Sequence, residues 1–146
     1  MNTAVRILTR RDHTRYEIGQ KLKQRGFSSG AIRAAIEECE RLNYIDDERT
    51  ARIYIGQLSR RGFGIRRIAI ELKKKGLQGK HVENILQQQQ VEIDEREIAR
   101  RVLQKKLKSF EREADSKKRR DKLYRFLVYR GFNRSIISEL IKVYFN

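Results

Sequence analysis

Five runs of cations hold the residues whose type and spacing could do chemistry: Arg60-Arg61, Arg66-Arg67, Lys73-Lys74-Lys75, Lys105-Lys106 with Lys108, and Lys117-Lys118-Arg119-Arg120. Their chemistry is electrostatic. Closely spaced guanidinium and ammonium groups neutralise successive phosphates or carboxylates, and on a nucleic acid they release condensed counterions as they do so. The whole composition agrees. Lys and Arg number 35 against 19 Asp and Glu, a net charge of +16 at pH 7, which is the signature of a protein that meets a polyanion or an acidic surface. Residues 93–146 contribute most, with 16 basic against 8 acidic side chains, whereas 1–45 and 46–92 are each +4. From these runs the candidate binding residues are Arg60, Arg61, Arg66, Arg67, Lys73, Lys74, Lys105, Lys106, Lys117, Lys118, Arg119 and Arg120.

Covalent and metal chemistry find little support. His13 and His81 are the two histidines and Cys39 the one cysteine, and no spacing joins them into a ligand set. A lone cysteine excludes an internal disulfide. Gly62-Phe63-Gly64 is too short for a dinucleotide fingerprint, and there is no Walker sequence. Helix capping accounts for Asp46, Asp47 and Glu48 better than a cation site does, and the run Gln87 to Gln90 reads as a helix end. Cys39 is expected in the core and both histidines at surface or capping positions. The expectation is therefore a protein that is not an enzyme, with no catalytic, cofactor-binding or metal residues. No run of 18 apolar residues and no signal-peptide pattern occurs, which makes the cytoplasm the expected location.

The elements that must position the cations are built on one motif used three times. Lys21-Leu22-Lys23-Gln24-Arg25-Gly26-Phe27, Glu71-Leu72-Lys73-Lys74-Lys75-Gly76-Leu77 and Phe126-Leu127-Val128-Tyr129-Arg130-Gly131-Phe132 each place Leu four before Gly, a cation one before it and an apolar residue after it. A helix that ends on a left-handed Gly packs the following residue against the one five earlier, here Leu22 on Phe27, Leu72 on Leu77 and Leu127 on Phe132. The cation sits at the negative end of the helix dipole. After each turn an i, i+3, i+4, i+7 stripe follows: Ile32, Ala35, Ile36, Cys39; Val82, Ile85, Leu86, Gln89; Ile137, Leu140, Ile141, Tyr144. Eight before the glycines stand Ile18, Ile68 and Leu123, so the preceding helices share a face too.

Capping signals divide the chain further. Thr14 to Glu17 fits a capping box; Ser28 and Asn133 read as N-caps, and so does Ser116. Carboxylates at Asp46 and Asp94 open two more helices, and the first helix runs through Val5 and Leu8 to near Arg10-Arg11. Lys105 to Lys122 is charge-dense and almost without apolar residues, so it is expected to include a mobile connection. Nine helices and no strand are expected, in three tandem three-helix repeats at 1–45, 46–92 and 93–146. Repeats of this size lean on their neighbours. The all-α chain is thus expected to form an elongated, curved array and, lacking heptads or a spare apolar face, to be a monomer.

A set of residues spread over the whole chain resembles the RecX family of regulatory proteins. It comprises Ala4-Val5-Arg6-Ile7-Leu8 with Arg11-Asp12-His13-Thr14; Tyr44-Ile45-Asp46-Asp47 with Ala51; Gly62-Phe63-Gly64 leading through Ile68, Glu71 and Leu72 to Lys75-Gly76; and Arg125 to Phe132. The resemblance implies a cytoplasmic bacterial modulator of RecA that lies in the groove of the RecA filament on DNA. Such a modulator limits filament extension and inhibits strand exchange, ATP hydrolysis and co-protease activity, and so bears on recombination, DNA repair and the SOS response. Some members also bind DNA directly. Thr50 and Ile18 depart from the family pattern at packing positions, where an aromatic residue and Leu are usual. The competing reading is a self-sufficient DNA-binding helical array that needs no protein target.

Overall fold

The computed structural model describes residues 1–145; residue 146, the last of the expected third repeat, lies outside the described residues. Among the described residues there are nine α-helices, one 3-10 turn and no strand. They are α1 (Asn2–Leu8), α2 (Arg15–Gln24), α3 (Ser29–Arg41), α4 (Asp47–Arg60), α5 (Ile65–Lys74), α6 (Lys80–Glu92), α7 (Glu95–Leu107), the turn Lys108–Phe110, α8 (Ser116–Tyr129) and α9 (Arg134–Phe145). None of them is long and apolar enough to cross a membrane.

The caps explain where most helices start. Thr14 Oγ1 accepts the Glu17 amide and the Glu17 carboxylate accepts the Thr14 amide, the expected capping box. Ser28 takes the Ala31 amide, Asp46 that of Arg49, Asp94 that of Glu97 and Asn133 that of Ser135. At α8 the cap is Asp115, not Ser116: its carboxylate accepts the amides of Lys117 and Lys118 at 2.9 and 3.3 Å. A carboxylate outcompetes a hydroxyl at the positive end of a helix. The first helix closes at Leu8, earlier than its pattern implied, as the Thr9 hydroxyl bonds back to the Arg6 carbonyl, and it buries Ala4 and Ile7 rather than Val5 and Leu8. The stretch expected to include a mobile connection, Lys105 to Lys122, is largely helical. Only 111–115 separate the 3-10 turn from α8, and Lys122 ties back to Glu113 at 3.0 Å.

The repeated Leu-to-Gly turn closes as expected. Gly26, Gly76 and Gly131 have φ of 86°, 77° and 88°, and the amides of Phe27, Leu77 and Phe132 reach back to the carbonyls of Leu22, Leu72 and Leu127. The three differ in burial. Leu77 and Phe132 are buried, but Phe27 is 42% exposed.

The chain divides into two compact units, Met1–Tyr54 with Leu72–Ile85, and Ile55–Glu71 with the chain from Leu86 onward. Helices α4, α5 and α6 therefore give one end to each. The first unit is centred on Ala4, Ile7, Ile18, Leu22, Ala35, Ile36, Cys39 and Ile45. Cys39 is fully buried, as expected, with its Sγ 3.8 Å from the Met1 sulfur. In the second unit Ile98, Ala99, Leu103, Leu123, Leu127 and Phe132 meet Ile137, Leu140 and Ile141.

Each unit contains one joint in which a glycine turn meets the start of a helix. In the first, the Thr14 hydroxyl donates to the Lys75 carbonyl at 2.6 Å, Lys75 Nζ lies 3.4 Å from Glu17, and a Cβ on Gly76 would overlap the Tyr16 side chain. In the second, the Gly64 amide donates to the Arg130 carbonyl at 2.8 Å and the Arg66 amide to the Gly131 carbonyl at 3.1 Å. A Cβ on Gly131 would overlap the backbone of Arg67, and one on Gly64 that of Gly131. His13, just before the cap of α2, is 2% exposed and its ring meets the Arg11 carbonyl and Lys21, which corrects the surface or capping position expected of it. His81 is exposed and faces Glu48 at 3.6 Å.

Candidate polyanion-binding site

The joint of the second unit gathers charge. Backbone pairing of Gly64 with Arg130 brings the Arg130 guanidinium to the Arg61 carbonyl, to which it donates at 3.0 Å. Three guanidiniums then surround the Phe63 ring, Arg130 at 5.0 Å, Arg61 at 5.4 Å and Arg67 at 5.5 Å from its centroid. Arg130 also lies 5.3 Å from the Phe126 ring, on which Lys106 sits at 4.8 Å. The negative faces of the rings offset part of the repulsion among these cations.

Beside this belt the end of α4, the outer face of α7 and the end of α8 enclose a cavity of about 290 Å³. Six cations line it, Arg60, Arg61, Arg101, Lys105, Lys106 and Arg130, and among the described residues no carboxylate does. Phe126 offers a ring there, and the buried Ser59 hydroxyl, also at the lining, has no hydrogen-bond partner among the described residues. A concave wall of one sign focuses the field and concentrates anions. With an aromatic face beside the cations, the arrangement suits phosphates of a strand whose bases can stack.

The structure sorts the candidate residues. Arg60, Arg61, Lys105 and Lys106 come together in the cavity. Arg66 is exposed at the start of α5. Arg67, a candidate with it, is held by Glu71 at 3.0 Å and stacked on Tyr129 at 4.9 Å. Lys73 and Lys74 lie exposed at the far end of α5, in the first unit. Lys117, Lys118 and Arg120 are exposed on α8 and Arg119 stacks on Phe145 at 5.7 Å; none of the four lines the cavity. Two lining cations were missed. Arg101 stands four residues before Lys105 on α7, a same-face spacing that would have found it. Arg130 had been read as a dipole partner at a helix end.

The carboxylates at the start of α4 are engaged within the protein. Asp46 caps the helix, Asp47 accepts the Arg15 amide at 2.9 Å and Glu48 pairs with Arg52 at 3.1 Å. Among the described residues no group of three His, Cys, Asp or Glu is placed to hold a metal ion.

Comparison with known proteins covers most of the chain. Residues 1–39, 46–86 and 94–141 match family models described as the first, second and third three-helix domains of RecX. A regulatory protein RecX from Legionella pneumophila (strain Corby) is 38% identical over 97% of this chain and 91% of its own. One from Vibrio campbellii is 39% identical over 92% of this chain and 84% of its own. A crystal structure of RecX from Lactobacillus salivarius superimposes with a TM-score of 0.82 at 22% identity, covering 97% of this chain and 92% of that one.

Proposed function

The chain belongs to the RecX family of regulatory proteins, and from that premise we propose that it regulates RecA by binding the RecA nucleoprotein filament. In this reading it limits filament extension and so inhibits strand exchange, ATP hydrolysis and co-protease activity, with consequences for recombination, repair and the SOS response. It works in the cytoplasm as a monomer, by occupancy and without a reaction of its own. The three repeats, taken as 1–45, 46–92 and 93–146, are its working modules.

The observation that supports this reading is the cavity with six cations, a stacking ring and no carboxylate. A nucleoprotein filament presents phosphates and acidic side chains in repeated array, and several weak contacts made by connected modules add through effective concentration. Arg60, Arg101 and Lys105 are exposed, so neutralising them leaves the fold intact. The triple variant R60Q/R101Q/K105Q is expected to need at least about tenfold more protein for half-inhibition of RecA ATPase on single-stranded DNA. Potency equal to the unaltered chain would overturn the role given to the cavity.

The pairing of Phe126 with Lys106 and Arg130 also favours a second reading, direct binding of a bare strand. Inhibition that disappears when free DNA is added in excess would favour that reading over filament binding.

A further inference from the structure

A second basic concavity, of about 280 Å³, opens in the first unit where the last turn of α1, the connection to α2 and the later turns of α2 meet. Arg6, Arg10, Arg11, Lys21 and Arg25 line it with His13. None of these belongs to the cation runs that the sequence singled out. Five positive charges around one small space repel one another unless something neutralises them.

Little within the protein does so. Glu17, the carboxylate beside them, is already engaged: it accepts Arg11 at 2.9 Å and the Thr14 amide at 3.1 Å, and lies 3.4 Å from Lys75. Arg6, Arg10 and Arg25 have no side-chain hydrogen bond or ion pair among the described residues. Helix dipoles account for part of their placing, since Arg6 is in the last turn of α1 and Arg25 is the C-cap of α2. About half a charge per helix end is small beside five cations.

The floor of the pocket is organised rather than loose. His13 Nδ1 lies 2.9 Å from the Arg11 carbonyl and Nε2 lies 2.9 Å from Lys21 Nζ. Nδ1–H donates to the carbonyl, so Nε2 keeps a lone pair that accepts from the ammonium. The ring is neutral and points Lys21 in a fixed direction. Burial lowers the His13 pKa, the Arg11 carbonyl pulls the other way, and the charges of Arg11 and Lys21 add to the lowering against that of Glu17.

We infer that this pocket binds a multiply charged phosphate, with Arg6, Arg10 and Arg25 supplying the hydrogen bonds and Lys21, held by His13, the fixed charge. Charge-assisted contacts of guanidinium to phosphate are strong and geometrically specific. The phosphate can belong to a free polyphosphate or to a nucleic-acid strand. The inference does not rest on regulation of RecA and stands or falls separately from it.

The test is calorimetric titration of the full chain with inorganic pyrophosphate and, in a second arm, with an oligothymidylate at the same salt. Arg6 and Arg25 are exposed, so R6Q/R25Q is expected to fold. Its pyrophosphate affinity is expected to fall at least about tenfold, while R134Q/K142Q, exposed on α9 and in neither cavity, stays within about twofold. In the unaltered chain, pyrophosphate should also shift the NMR resonances of the His13 ring, which the exposed His81 provides an internal control for. Parallel loss of oligothymidylate affinity in R6Q/R25Q, with displacement by pyrophosphate, identifies a strand as the source; loss confined to pyrophosphate identifies a free polyphosphate. Unchanged pyrophosphate affinity in R6Q/R25Q, equal weakening in both double variants, or unmoved His13 resonances would overturn the assignment.

Discussion

Both joints set a glycine turn against the start of a helix, the first through the Thr14 hydroxyl and the second through two backbone amides, and they differ in their electrostatics. In the first, the cation before the turn glycine, Lys75, meets Glu17 and lies 4.7 Å from the Tyr54 ring. In the second, Arg67 stands where the first has Glu17 and Arg130 where it has Lys75. An ion pair is then impossible. Phe63, at the place of His13, separates the guanidiniums instead, and Arg67 turns to Glu71. The first joint pairs Lys75 with Glu17, whereas the second stacks its guanidiniums on rings and leaves Arg61 and Arg130 facing an adjacent cavity. The side chains at such a seam thus decide whether its charges are paired within the protein or presented to a cavity.

The sharpest way to break this comparison is at the glycines. Gly131→Ala adds a Cβ at φ 88° into the backbone of Arg67, and the expected loss is about 3 kcal/mol in urea unfolding. Gly76→Ala meets the Tyr16 side chain and falls somewhat lower. Gly26 has a similar φ of 86° but open space around it, so Gly26→Ala should lose only about 1 kcal/mol. Equal losses at all three positions would mean that the turns matter only within their own helices.

A smaller effect probes the ion pair. Burial raises the Glu17 pKa, but the Arg11 hydrogen bond, the Thr14 amide and the Lys75 charge outweigh it and bring the group down to about 2 from 4.5. A carboxylate depressed in the folded state adds stability above its unfolded pKa and loses it as pH falls through the folded one. The unaltered chain should therefore lose more urea stability than E17Q as pH drops from about 4.5 to about 2, and parallel profiles would remove Glu17 from the first joint. Smallest is the cap of α8, which takes part in neither seam: Asp115→Ala should cost about 1 kcal/mol in urea unfolding and Ser116→Ala about 0.3 or less.

What the sequence made legible was local. Leu72 and Gly76, or Leu127 and Gly131, lie within one turn of each other, so their hydrogen bonds and the helices on either side follow from spacing. The contact of Gly131 with Arg67, across more than sixty residues, leaves no periodic trace, because two backbones that touch need only small residues and not a stripe. The same limit applied to the site. Runs of cations were visible at Arg60-Arg61 and Lys105-Lys106, but the cavity is completed by Arg101 and Arg130, which folding brings in from α7 and α8. His13 was misjudged because a histidine beside a cap is usually wet, and only the fold shows it enclosed and bonded on both nitrogens.

Cys39 has a practical consequence. It is fully enclosed, burial pushes its thiol pKa up, and it is the sole sulfhydryl in the polypeptide. An alkylating reagent can reach it only while the first unit opens, so the rate of its modification is a stopwatch for that opening. Since the second unit holds no competing thiol, breathing of one half can be timed without labels, engineering or interference from the other.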